Sequence, residues 1–181
     1  MSADTRPLVF ITGASSGIGQ ALAERFARAG WRLALVARRS EELQVWAGAQ
    51  GWDAQRCRVY RADVADADSI VQAGRLCLST QGVPEVVVAN AGVSIGMDTE
   101  VRGDLDVMAR TFATNNTGLA ATFHPFVEAM RTQGRGRLVG IASVAAIRGL
   151  PGHGAYCASK AAVVAYCESP VSYTHLRAHE T

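Results

Sequence analysis

The chain has 181 residues, of which 49% are hydrophobic and 19% charged. That length suits one domain, and the composition can fill a core, which excludes disorder as the main state. The formal net charge is +2, too balanced for a nucleic-acid or membrane-surface binder. Apolar runs such as 8–11 and 86–89 are far too short to span a bilayer. The opening MSADTRPLVF carries Asp4 and no apolar stretch with a cleavage site, so a signal peptide is not expected. Cys57, Cys77, Cys157 and Cys167 show no C-x-x-C or metal-ligand spacing, so plain buried thiols in the cytoplasm are the expectation.

Short apolar runs alternate with longer helical stretches, without a sequence repeat. Residues 8–12 are apolar in succession, as a strand covered on both faces should be. After the Gly-rich stretch 13–19, a helix to about residue 29 places Ala21, Leu22, Phe26 and Ala29 at helical spacing and closes at Gly30. Residues 32–37 read as the second strand, and Ser40 is a candidate cap for a helix through about 49. A third strand is expected at 56–61, then a helix opened by Asp66 or Asp68 and ending near Gly82. Pro84 leads into strand four at 86–89. Asp104 opens a long helix to about 131, with a bend expected near His124 and Pro125 because proline lacks the amide donor. A turn at 134–136, a fifth strand at 137–142 and a helix at 155–168 complete the pattern. Repeated strand–helix units predict an α/β fold, a doubly wound parallel sheet of five strands with helices on both faces.

The first strand runs straight into T-G-A-S-S-G-I-G, Thr12 to Gly19, and a helix follows at once. A Gly-rich string in that setting is a strong nucleotide-site signal. Gly13 suits the tight turn, Gly17 a close approach of backbone to phosphate, and Gly19 close helix–strand packing. The helix N-terminus then offers unpaired amides and its positive dipole end to a pyrophosphate. The spacing is G-x-x-x-G-x-G rather than G-x-G-x-x-G, and it does not match an ATP-type P-loop. Strand two exits as Ala37-Arg38-Arg39, where NAD sites usually place an acid for the ribose hydroxyls. The guanidinium fork suits a 2′-phosphate, which favours NADP(H), with NAD(H) as the alternative. Glu41 and Glu42 stand close enough in sequence to pair with these arginines instead.

Of the 18 cationic residues, 17 are Arg, and the only Lys is Lys160. It closes Y-C-A-S-K, Tyr156 to Lys160, in which the Tyr and Lys four residues apart share one helix face. Ser143 lies 13 residues before Tyr156, at the end of strand five, where strand ends deliver groups to the ligand crevice. With these residues the sequence resembles the short-chain dehydrogenase/reductase family in its single-domain form, over about residues 7–169. The resemblance rests on T-G-A-S-S-G-I-G, Asp63-Val64, Asn90-Ala91-Gly92, Asn115, Ser143 and Y-C-A-S-K.

The resemblance implies a hydride transfer between NADP(H) and a small carbonyl/alcohol substrate. Tyr156 would be general acid in reduction and base in oxidation, and the cation of Lys160 would favour its phenolate. Lys160 would also hydrogen-bond the nicotinamide ribose, and Ser143 would polarise the substrate oxygen. Asn115 would support a water in the proton relay, although adjacent Asn116 leaves the register open. The implied cofactor contacts are Gly13, Ser15, Ser16, Gly17, Ile18 and Gly19, with Arg38 and Arg39, Asp63 and Val64 at the adenine, and Asn90, Ala91 and Gly92 along the cofactor's backbone path. Residues 93–103 are a candidate pocket mouth, within which Met97 suits either a substrate contact or a core edge. His124 and His153 lack a metal-like set of partners. A homodimer or homotetramer is implied too, with no membrane or nucleic-acid partner. The alternatives are a non-catalytic NADP(H) sensor and an inactive fragment of the enzyme.

Residues 170–181, PVSYTHLRAHET, lack apolar periodicity, and the string resembles a translated transposon-end sequencing adapter. The expectation is therefore a domain over 1–169 that lacks its last strands, followed by a non-native tail with no strand. On that reading the edge of strand five stays bare.

Overall fold

Successive residues of the central strands feed opposite faces of one sheet. The computed structural model describes residues 5–169 together with the backbone of 177–180. In β1 (Leu8–Thr12), Leu8 and Phe10 enter one core while Val9 and Ile11 enter the other. β2 (Arg32–Ala37) and β4 (Val86–Ala89) divide their side chains in the same way. This division explains why the strands read as unbroken apolar runs, since both faces are buried.

The order across the sheet is β3-β2-β1-β4-β5-β6, with every pairing parallel. β3 is Cys57–Arg61 and β5 is Arg137–Gly140. One face is covered by α1 (Gly17–Arg28) and α2 (Ser40–Ala49), which contribute Ala23, Ala27, Leu43 and Ala47. The other is covered by α3 (Ala67–Gln81), by α5 (Gly118–Thr132), which follows α4 (Asp104–Phe112), and by α6 (Gly154–Glu168). Phe10 and Phe126 meet at its centre with ring centroids 4.8 Å apart, a tilted pair of the favoured kind. α3 and α5 approach so closely that a methyl group at Gly74 would run into the Pro125 ring.

All five expected strands and their helices are present, and several details differ. Asp66 caps α3, its carboxylate accepting from the Asp68 and Ser69 amides at 3.1 and 3.2 Å. Ser40 does not cap α2; it is the first helical residue, and Glu41 and Glu42 fill the first turn instead, where acids suit the helix dipole. The long helix expected from Asp104 is interrupted by a π-helical turn at Ala113–Thr117, and Pro125 lies inside the α5 that follows. β5 stops at Gly140. Ser143 therefore lies beyond the strand and caps a 3-10 turn, Val144–Ala146. All four cysteines are buried thiols outside any disulfide, and burial pushes the Cys57 and Cys77 thiols up to about 12.

The largest departure is at the C-terminus. Residues 170–176 and 181 of the expected tail lie outside the described residues, but Arg177–Glu180 forms β6, with Arg177 opposite Arg137 and Glu180 opposite Gly140. The expectations of a strandless tail and a bare edge beside β5 are corrected here. A parallel edge is satisfied by backbone N–H and C=O groups and asks for no apolar period. At the other margin β3 exposes Arg58 and Arg61, charges that suit an edge strand. Among the described residues, no helix is long and apolar enough to cross a membrane.

Replacing the α3 cap tests this account of the helix. Asp66→Ala should destabilise the fold by about 1 kcal/mol, lowering the thermal midpoint by roughly 2–4 °C, while Ser40→Ala should leave it nearly unchanged. Thermal melts of both variants followed by circular dichroism check the contrast.

Candidate active site

The strand order reverses between β1 and β4, so the connections leaving their C-terminal ends diverge and open a crevice. Thr12, fully buried, holds the two ends together. Its hydroxyl accepts from the Asn90 and Ala91 amides at 3.1 and 3.2 Å, and the Asn90 amide group donates to the Thr12 and Gly13 carbonyls at 3.0 and 3.2 Å. Asn90 is thus a strut of the crevice wall. Gly13 has φ +65°, and a side chain there would press on the Ala91 backbone; at Gly19 a methyl group would overlap the Gly13 carbonyl. The glycines let three backbone segments meet where side chains would hold them apart.

The resulting cleft has a volume of about 460 Å³. Its lining includes the expected Gly13, Ser15, Ser16, Gly17 and Ile18, then Arg38 and Arg39, Asp63 and Val64, and Asn90 to Gly92. Gly19 lies beneath it as a packing position. Val36, Ala37, Ala62, Val93 and Thr114 also line the cleft; they carry no polar side-chain pattern that would have marked them in the sequence, Thr114 excepted. α1 begins at Gly17 with no side-chain cap and no acid in its first turn, and the space beside Gly17 is open. Unpaired amides and a positive helix end therefore face the cleft, which fits the diphosphate of a dinucleotide. Arg38 stands 3.9 Å from Asp63 and Arg39 3.0 Å from Glu42; the arginines and Glu42 are exposed and Asp63 is half-buried.

Gly92 is where the cleft meets the second group of residues. A methyl group there would stand 3.2 Å from Asn115 Oδ1 and 3.5 Å from Lys160 Nζ. Lys160 is 6% exposed; its Nζ donates to the Ile141 carbonyl at 2.6 Å and lies 5.9 Å from the centre of the Tyr156 ring. Burial holds this ammonium below its ordinary value. The Tyr–Lys spacing does place both on one side of α6. Ser143, half-buried, accepts the Ala145 amide at 3.2 Å, and its turn packs against α6. The segment leading to α6 is tied down by the Leu150 amide, which donates to Cys157 Sγ at 3.2 Å.

The π-helical turn sends Asn115 and Asn116 to different partners. Asn115 is 1% exposed and uses its whole amide group. Oδ1 accepts from Val93 N at 2.8 Å, and Nδ2 donates to the Val93 carbonyl at 3.0 Å and to Ser159 Oγ at 2.9 Å. Asn116 instead donates to the Ser159 carbonyl at 2.9 Å. The sequence assigned no role of their own to Thr12, Val93, Ile141 and Ser159; all four act through backbone groups or a buried hydroxyl, which side-chain chemistry in the sequence does not mark. Met97 is half-buried, and its amide donates to the Gly152 carbonyl at 2.8 Å, joining the 93–103 segment to the approach to α6. Among the described residues no group of His, Cys, Asp or Glu suits a metal ion.

A cleft at the sheet's switch point, joined to a Tyr–Lys pair on one helix, defines a doubly wound α/β protein of the Rossmann class. Comparison with known proteins agrees: the short chain dehydrogenase family model matches residues 7–172, and the chain belongs to that family. An uncharacterized oxidoreductase of Myxococcus xanthus is 38% identical over 159 residues, 88% of this chain and 62% of that relative. Other curated relatives are matched over about half their length. An alcohol dehydrogenase from Thermococcus sibiricus, solved with 5-hydroxy-NADP, superposes with a TM-score of 0.88 at 29% identity, covering 97% of this chain and 74% of that one. A short chain dehydrogenase/reductase from Burkholderia phymatum, solved with NAD, gives 0.87 at 27% identity, covering 99% and 66%.

Gly19→Ala tests the crowded packing under the cleft. The added methyl meets backbone that cannot swing aside, so the variant's thermal midpoint should fall and should not rise with saturating NADPH. Differential scanning fluorimetry with and without cofactor reads this directly.

Proposed function

We propose that the protein moves a hydride between a nicotinamide cofactor, NADP(H) in preference to NAD(H), and a carbonyl/alcohol pair, with Tyr156 handling the proton. The observation that carries this reading is the junction at Gly92, where an anion-accepting cleft reaches the Lys160 ammonium beside Tyr156. When bound, the nicotinamide supplies or takes up the hydride. The residues Gly13, Ser15, Ser16, Gly17, Ile18, Asp63, Val64, Ala91 and Gly92 would hold the cofactor, and Lys160 would reach its ribose. In reduction the Tyr156 hydroxyl donates its proton to the developing alkoxide; in oxidation the phenolate removes it. Ser143 would hold the substrate oxygen and stabilise charge developing there. Asn115 would act by fixing the frame around them. Association of the subunits into a homodimer or homotetramer belongs to the same reading.

Arg38 and Arg39 support NADP(H). β2 exits without a carboxylate of its own, and the Arg38–Asp63 pair at 3.9 Å is too loose to hold the guanidinium from a phosphate. The Thermococcus sibiricus and Burkholderia phymatum structures contain an NADP derivative and NAD respectively, so cofactor choice within this fold must come from local side chains. Removing both arginines (Arg38→Ala with Arg39→Ala) should lower kcat/KM for NADPH at least tenfold and leave that for NADH within about twofold. Steady-state kinetics with both cofactors checks it, and equal efficiencies in the parent would count against the preference.

Tyr156→Phe removes one hydroxyl. General acid–base groups typically contribute ~10²–10⁴-fold, so turnover should fall by that factor while NADPH affinity, read by fluorescence titration, changes little. Activity within a few-fold of the parent would mean that another group moves the proton.

A further inference from the structure

Between Tyr156 and Lys160 lies Ser159, with 0% exposure and no access to cofactor or substrate. Its hydroxyl donates to the Tyr156 carbonyl at 2.7 Å and accepts from Asn115 Nδ2 at 2.9 Å, while its own carbonyl accepts from Asn116 Nδ2 at 2.9 Å. At 100° per residue, Ser159 sits about 60° to one side of Tyr156 and Lys160 about 40° to the other. The tyrosine therefore projects between a residue clamped to the π-helical turn and one whose ammonium is tied to the Ile141 carbonyl. Rotation of α6 about its axis would break one tether or the other.

We propose that Ser159 is a positioning residue: through its hydrogen bonds to Asn115 and Asn116 it sets the rotation of α6 that aims Tyr156. This role rests on the reading of Tyr156 as the proton-transfer group. The tether continues beyond Ser159, because the same Asn115 amide group holds both backbone groups of Val93. Val93 follows Gly92 and lines the cofactor cleft. One buried hydroxyl thus couples the wall of the cofactor cleft to the helix that carries the proton donor. Only a small acceptor-and-donor side chain fits: alanine would leave the second Asn115 N–H without an acceptor in a buried site, and buried donors left unpaired relax toward other partners. Asn116 Oδ1, buried and unpartnered among the described residues, shows that the second tether is made through one end of its amide only.

The test compares Ser159→Ala, Asn115→Ala and the double variant with the parent in the full-length protein. For Ser159→Ala we expect kcat to fall at least tenfold and NADPH affinity to change less than twofold. The limb of the kcat–pH profile assigned to Tyr156 should move, a response that loss of stability alone would not produce. The double variant should lose little more than Asn115→Ala alone, since both remove one tether. Additive losses, an unmoved pH limb, or kcat within twofold of the parent would overturn the proposal. If Ser159→Ala does not fold, Ser159→Cys, of similar size and with a poor acceptor, takes its place; failure of both to fold would assign the hydroxyl to stability and overturn the positioning role. Tyr156→Phe run alongside separates the two readings: if it stays active the proton-transfer reading fails, and if it is dead while Ser159→Ala is normal only the positioning role fails.

Discussion

A parallel sheet buried on both faces leaves very little room for chemistry. Inside it every backbone donor and acceptor is committed to a neighbouring strand, and every side chain to a helix layer. In this chain Leu8, Phe10, Val87 and Phe126 fill one layer and Val9, Ile11, Leu33 and Leu35 the other. Groups that are free to act can emerge only where strands end. The reversal of order between β1 and β4 parts the connections there, and the cleft occupies that gap. The position of the site is thus a consequence of covering the sheet rather than a separate invention.

Holding the gap open to the right width falls to a few polar contacts. The Thr12 hydroxyl and the Asn90 amide group tie the end of β1 to the chain leaving β4. Their contribution to the site is the spacing of the walls. The π-helical turn does similar work on the other side. One extra residue in the helical turn directs Asn115 inward to Val93 and Ser159 while Asn116 reaches the same serine from its carbonyl side. π-turns of this kind commonly sit at functional sites because they redirect a side chain without ending the helix.

The charge distribution follows the same division. The uncapped start of α1 and the two arginines after β2 give the cleft a positive rim. The one lysine of the chain is buried where that rim ends. Desolvation disfavours its charged form and draws its pKa down, and the Ile141 carbonyl offsets part of that penalty by accepting from Nζ. An arginine there would bring a larger planar group with five donors to satisfy, which the single carbonyl could not do. The chain's otherwise complete use of arginine makes the exception informative.

Local order in the sequence determined the strand–helix alternation, the Gly-rich turn between β1 and α1, an aspartate cap at 66 or 68 and the Tyr–Lys pair, because each depends on residues within one or two helical turns of one another. Apolar succession in 8–12 and 86–89 was enough to mark strands buried on both sides. The rest needed the folded chain. Thr12 and Asn90 are 78 residues apart, and the partners of Ser159 lie 43 and 44 residues away, so no local spacing could reveal either contact. Helix propensity could not locate the π-helical turn, since Ala113–Thr117 is held by packing against α6 and the helical period continues on both sides. β6 escaped for another reason. Pairing along β5 uses backbone groups that every residue carries, so the strand left no mark in the side-chain pattern. What the sequence encodes locally it shows openly; contacts that close across the sheet exist only once the strands have brought their ends together.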